Sequence, residues 1–204
     1  MTPLISTSTI KLQDESIRKA PPGTLLDALH RRCSRRDFSP QPLEKRHLSQ
    51  LLWAAYGVNR PDGHRTAPAA MGLYALKLYV FLPEGVFLYR PESDELTCVT
   101  ENDCRPMAGM QDFVADAPLS IAIFADYEAF HTGDEKVDSV LRGHESEMAA
   151  LDAGAVAQNI YLYCAYEGIN VVERMMMDGE GFARRFGLPP SYHFQVAVTA
   201  GYCA

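Results

Sequence analysis

The stretch SEMAALDAGAVAQNIYLYCAYEG, residues 146–168, is apolar on most of its faces and ends in a glycine. A helix of this kind has too little polar surface to stand in water, so other elements must cover it. Gly168 supplies its stop. The segments around it are suited to that task. Shorter helices are predicted in GTLLDALHRR, where Thr24 caps the start, and in PLEKRHLSQLLWAAYG, where Leu43, His47, Leu48, Leu51, Leu52 and Ala55 share a face. From Leu76 the period changes: LKLYVFLP, GVFLYRP and ELTCV, separated by EG and ESD, read as a strand followed by a hairpin. A helix near Cys104–Ala115, a buried strand in APLSIAIFADY, a strand INVV, a helix GEGFARRFG and a final strand HFQVAVTAGY complete the pattern. Helices mixed with an antiparallel hairpin predict an α+β domain.

The 204 residues suit one domain, expected over residues 23–204, and the polar, proline-ended residues 1–22 read as an extended arm. The longest apolar strand runs are interrupted or too short to span a bilayer, and Met1 is not followed by a signal-peptide pattern. The expectation is therefore a cytoplasmic protein without membrane insertion; an export leader removed before residue 1 would leave no trace. Five cysteines show neither CxxC pairing nor zinc-type spacing, and His144 with Glu145 does not make an HExxH, so no metal site is expected.

A net charge of -7 makes the run HRRCSRRDFSP, with Arg31, Arg32, Arg35 and Arg36 in six positions, a local exception. Guanidinium forks match phosphate oxygens in pairs, and Ser34 adds a neutral donor. The same run also reads as a solvated charged turn. No aromatic platform or second basic stripe accompanies it, so a nucleic-acid partner is not expected. Asp152, Gln158 and Asn159 read as residues that satisfy helix contacts. The triplet Met175–Met177 reads as core filler or as thioethers beside a flat ring.

The ordered series from Thr24 to Tyr202 resembles the nitroreductase family of flavin enzymes, particularly its SagB-type dehydrogenase branch. Arg32, Ser34, Arg36 and Phe38 fit that branch's Arg-x-Ser-x-Arg-x-aromatic pattern. LLWAA with Gly57, Asn59 and Arg60, then Arg65–Pro68, fit a second motif. GVFLYRPESDEL, APLSIAIFADY, LDAGAVAQNIYLYCAYEGI and the terminal GLPP and QVAVTAGY follow in family order.

The resemblance implies a largely antiparallel mixed sheet flanked by helices, in an intertwined homodimer binding FMN between subunits. It places Arg32, Cys33, Ser34 and Arg36 at the flavin phosphate and ribityl chain, with Arg31 and Arg35 left to solvent. It places Pro68, Ala69 and Ala70 on a segment reaching the partner's flavin, and Glu173, Arg174, Met175 and Met176 beside the ring. Within that set Arg174 is the expected donor to the ring, by guanidinium or backbone. The helix around Val156 and Ile160 is expected to supply much of the intersubunit surface. The implied activity passes electrons from NAD(P)H through flavin to a small organic acceptor such as a nitro compound or quinone. The alternative is a specialised flavin-binding protein with little turnover, suggested by PAA where Pro-Ser-Ala is usual and by methionine where the ring-side loop often has glycine. Many relatives carry a further basic phosphate ligand beyond the final Gly-Tyr, whereas this sequence stops at Ala204, which leaves the phosphate charge to the N-terminal arginines.

Overall fold

The computed structural model describes residues 20–204, so the expected arm over 1–22 lies outside the described residues except for its last three. Helices α1 (Leu25–Arg31) and α2 (Lys45–Tyr56) precede the hairpin strands β1 (Leu76–Leu82), β2 (Gly85–Arg90) and β3 (Glu95–Thr100). They are followed by α3 (Phe113–Asp116), β4 (Leu119–Asp126), α4 (Glu135–Leu141), α5 (Glu145–Glu167), β5 (Asn170–Arg174), α6 (Gly179–Phe186) and β6 (Tyr192–Gly201). The six strands form one sheet in the order β3-β2-β1-β4-β6-β5. Every adjacent pair is antiparallel.

Both faces of this sheet are covered, because both parities of its central strands are apolar. Leu78, Val80, Ile121, Ile123, Val196 and Val198 point into a core shared with Leu51, Ala55, Val156 and Ile160 of α2 and α5. Their neighbours Tyr79, Phe81, Ala122, Phe124 and Ala197 point the other way, into a second core with Val114 and Phe182. Phe182 of α6 lies 5.2 Å from Tyr79, 5.3 Å from Phe81 and 5.5 Å from Phe124, ring to ring. A strand apolar on both faces, such as β4, is thereby buried along nearly its whole length.

Local signals account for most boundaries. Thr24 caps α1 by accepting from the Asp27 amide at 3.2 Å, and Gly168 ends α5 in the left-handed region at φ 73°. The sequence reading assigned nothing to α4, which Asp134 caps through the Lys136 and Val137 amides. The single helix expected over Cys104–Ala115 is instead a 3₁₀ turn, Arg105–Ala108, and the short α3. Gly109 between them is extended, and the Arg174 guanidinium occupies the space a side chain there would need. The break therefore comes from a residue far away in sequence.

Val156 and Ile160 are fully buried within the chain, so any intersubunit surface offered by the helix around them lies on its outward face. The outward face of α5 carries Leu151, 75 % exposed, and Tyr166, 51 % exposed; elsewhere on the surface Trp53 of α2 and Leu25 of α1 are also exposed. Gly109→Ala is expected to displace Arg174 and lower stability by about 1–3 kcal/mol, the usual range for overpacking, as read by urea unfolding. The same substitution at Gly133, where nothing lies within 4 Å of the added carbon, meets no neighbour and tests backbone strain alone.

Candidate functional site

The segment after α1 lies along the outer edge of β5. The Arg35 amide donates to the Val171 carbonyl at 2.9 Å, Asn170 Nδ2 donates to the Asp37 carbonyl at 2.6 Å, and the Ser39 amide donates to the Tyr202 carbonyl at 2.8 Å. Its side chains alternate. Ser34 Oγ lies 2.7 Å from the Tyr161 hydroxyl, and Phe38 packs 5.7 Å from Phe113. On the other side, Arg35 Nε donates to Cys33 Sγ at 3.1 Å, and Cys203 Sγ lies 3.8 Å from Asp37 Oδ2.

The Tyr161 hydroxyl also accepts from the Glu173 amide at 2.9 Å, so one side chain of α5 ties Ser34 to the end of β5. A hydroxyl that accepts from Glu173 keeps its own proton and a second lone pair, so either hydroxyl can be the donor in the Tyr161–Ser34 bond. Two expected site segments are thus brought together within one chain. Sequence reasoning missed Tyr161, since a tyrosine in an apolar helix reads as packing until its hydroxyl finds a partner.

A cleft of about 530 Å³ opens beside this junction, lined by Arg32, Cys33, Arg35, Ala165, Asn170 and Cys203 among others. Arg32 holds its guanidinium 5.4 Å from the Tyr161 ring centre. Arg31 also borders the cleft, but Asp27 pairs with it at 3.0 Å and it donates to the Tyr166 carbonyl at 3.1 Å. Arg35 is exposed, as expected, while bordering the cleft; Arg36 is equally exposed and does not line it.

Further along α5 a second cleft of about 320 Å³ is lined by Ala150, Gly154, Glu173, Met175, Tyr127 and Phe194. Partial burial holds the Glu173 carboxyl above its usual range. Met175 is 75 % exposed and Met176 56 % exposed, so of the triplet only Met177 is core. Arg174 turns inward: Nη1 donates to the Ala108 carbonyl at 2.9 Å and Nη2 donates to Thr199 Oγ1, itself bonded to Ser120 Oγ at 2.7 Å. Burial lowers its pKa to about 10. The expected guanidinium donor to a ring is therefore committed to the second core, and only the Arg174 backbone faces the loop.

The Pro68–Ala70 segment is held separately. The Ala70 amide donates to both Asp152 oxygens, at 3.0 and 3.1 Å, which matches the reading of Asp152 as a residue that satisfies contacts. Upstream, the Arg65 guanidinium lies 4.2 Å from the Tyr56 ring centre and 4.8 Å from that of Tyr74, and pairs with Glu92 at 2.6 Å. Asp152 and Tyr161 are nine residues apart in α5, about half a turn around the axis and about 13 Å along it. Pro68, Ala69 and Ala70 thus lie on the opposite flank of α5 from Ser34 and Glu173. Among the described residues no His, Cys, Asp and Glu group could hold a metal ion, and no helix is long and apolar enough to cross a membrane.

A profile of the Nitroreductase family matches residues 28–202. A nitroreductase-like relative from Methanocaldococcus jannaschii is 32 % identical over 158 residues, covering 72 % of this chain and 76 % of its own. Among solved structures, a nitroreductase-like protein of Ralstonia eutropha is 35 % identical with a TM-score of 0.80, covering 91 % of this chain and 85 % of that one. A Desulfovibrio desulfuricans protein solved in complex with FMN shares the fold at a TM-score of 0.61 and 18 % identity, covering 88 % of this chain and 86 % of that one.

Burial raises the Asp152 pKa. The unfolded chain then gives up this proton first, so the group's contribution to stability falls as pH rises out of the usual aspartate range. Asp152→Asn keeps an acceptor for the Ala70 amide without the charge, and is expected to remove that part of the pH dependence in urea unfolding. Asp152→Ala is expected to cost about 1–3 kcal/mol by leaving the amide unpaired.

Proposed function

Because this chain belongs to the nitroreductase family, we propose that it is an FMN-dependent oxidoreductase taking electrons from NAD(P)H to a small organic acceptor such as a nitro compound or quinone. The observation that carries this reading is the Ser34–Tyr161–Glu173 chain, which joins a basic cleft to the ring-side loop on one flank of α5. FMN, when bound, supplies a ring that accepts hydride and releases electrons. Every other task falls to the protein.

The residues present fit such a nucleotide. Arg32, Cys33, Ser34 and Arg36 would hold its phosphate and ribityl end, with the Arg32 guanidinium 5.4 Å from the Tyr161 ring centre. Glu173, Met175, Met176 and the Arg174 backbone would border the ring. The wall opposite them is low: Ala150 and Gly154 are small, and nothing lies within 4 Å of a carbon added to Gly154, so a flat group can approach the α5 backbone. No side-chain acid or base is required, and one open face used in turn by donor and acceptor gives ping-pong kinetics.

A homodimer is the assembly we infer from where the third segment lies. Pro68, Ala69 and Ala70 are held on the far flank of α5, so they meet a flavin beside Glu173 only if it belongs to a second copy. The exposed Leu151 and Tyr166 of α5 offer apolar surface for that contact. Placement in the SagB-type branch rests on the Arg-x-Ser-x-Arg and RTAP motifs.

Purified protein is expected to absorb as a flavoprotein, to release FMN on denaturation and to bleach rapidly with NAD(P)H under anaerobic conditions. A protein that binds FMN but is not reduced supports the specialised flavin-binding alternative. Leu151→Glu is expected to yield monomers that lose flavin; a monomer by light scattering that retains stoichiometric FMN contradicts the shared site. Met175→Gly is expected to change the rate of flavin reduction while leaving the melting temperature within a few degrees of wild type, since this side chain is 75 % exposed.

A further inference from the structure

A cavity of about 910 Å³, larger than either cleft described above, lies between α6 and the start of β6. Met110, Met177, Leu188, Pro189, Pro190 and Phe194 form much of its wall. The cleft of about 320 Å³ beside Glu173 and Met175 shares two residues with it, Tyr127 and Phe194. Both are fixed in place. The Tyr127 amide donates to the Ser191 carbonyl at 2.9 Å, its ring stacks on that of His193 at 4.0 Å, and Gly179 leaves the room in which Phe194 packs. The two spaces therefore meet at a preformed junction, of the kind that ligand sites use.

The charges around the large cavity compensate one another. Arg184 pairs with Glu180 at 3.4 Å, and Asp178 accepts from the Gly181 amide at 2.7 Å as the cap of α6. An anion finds no free counter-charge in Arg184, whereas the thioethers, proline rings and aliphatic carbon of the wall favour apolar surface. We propose that this cavity is a subsite for the apolar arm of the electron acceptor: a reducible ring enters the small cleft, and a hydrocarbon chain on that ring passes Tyr127 and Phe194 into the large one. This inference rests on the acceptor reading above and adds to it the substrate class, a ring that bears a hydrocarbon chain. A bare quinone or nitroarene leaves the larger space to solvent, whereas each methylene buried there gains about fourfold in affinity.

The test compares benzoquinones carrying alkyl chains, from unsubstituted to hexyl, as acceptors for the purified protein. KM is expected to fall by up to about fourfold per methylene while kcat holds, the pattern of an interaction made equally in ground and transition state. A second readout needs no turnover: alkylphenols, which carry the same chains on a ring that takes up no electrons, are titrated calorimetrically and follow the same chain dependence. Ala183→Trp fills the cavity from α6, and Leu188→Gln makes its wall polar. Each is expected to flatten the chain dependence and to leave turnover of unsubstituted benzoquinone as in wild type. An alkylphenol whose chain ends in a diazirine, mapped by mass spectrometry after irradiation, is expected to label residues 183–190. Equal kcat/KM and equal phenol affinity along the series overturn the subsite while the acceptor reading stands. So does a chain dependence that survives in both variants, because the arm then binds elsewhere. Should neither variant fold, diazirine labelling of wild type outside the cavity wall overturns the subsite instead. Wild-type protein that reduces no member of the series overturns the acceptor reading, and phenol affinity and labelling then decide the cavity by themselves.

Discussion

Half of the circumference of α5 is sealed into the core, and the arrangement of the candidate site follows from what stands at the two borders of that sealed half. Ala149, Ala153, Val156, Ala157, Ile160 and Cys164 are buried against the sheet. Asp152 and Tyr161 stand at the borders, each buried but for a few per cent, and each directs oxygen at a backbone amide outside the helix. A buried polar group is costly unless it is bonded, so each border residue holds its segment as firmly as the segment satisfies it. The Pro68–Ala70 segment and the Glu173 loop are thereby fixed to one rigid rod, on opposite flanks, without contact between them.

Arg174 performs a related task on the other face of the sheet. With no carboxylate beside it among the described residues, the buried guanidinium relies on neutral acceptors, the Ala108 carbonyl and Thr199 backed by Ser120, and its Nε has no partner there. Even lowered to about 10, its pKa keeps it charged at neutral pH. The same side chain organises its surroundings: the 3₁₀ turn ends at its acceptor, Gly109 makes way for it, and the Met110 amide donates to the Met176 carbonyl at 3.0 Å. The loop after β5 is consequently braced from behind by a side chain that turns into the second core.

The sequence carried the periodic parts of this structure well. Alternation identified β1 to β3, a capping threonine marked α1, and Gly168 closed α5 where expected. What it could not carry was direction. A helix apolar on most faces gives no sign of which face turns inward, and the sequence did not separate buried Val156 and Ile160 from exposed Leu151. Likewise the direction of Arg174 depends on which side of β5 meets the second core, and the break at Gly109 depends on Arg174 in turn. The arginine run is plain in the sequence, but its path along β5 is set by the Arg35–Val171 pairing, a contact across more than a hundred residues.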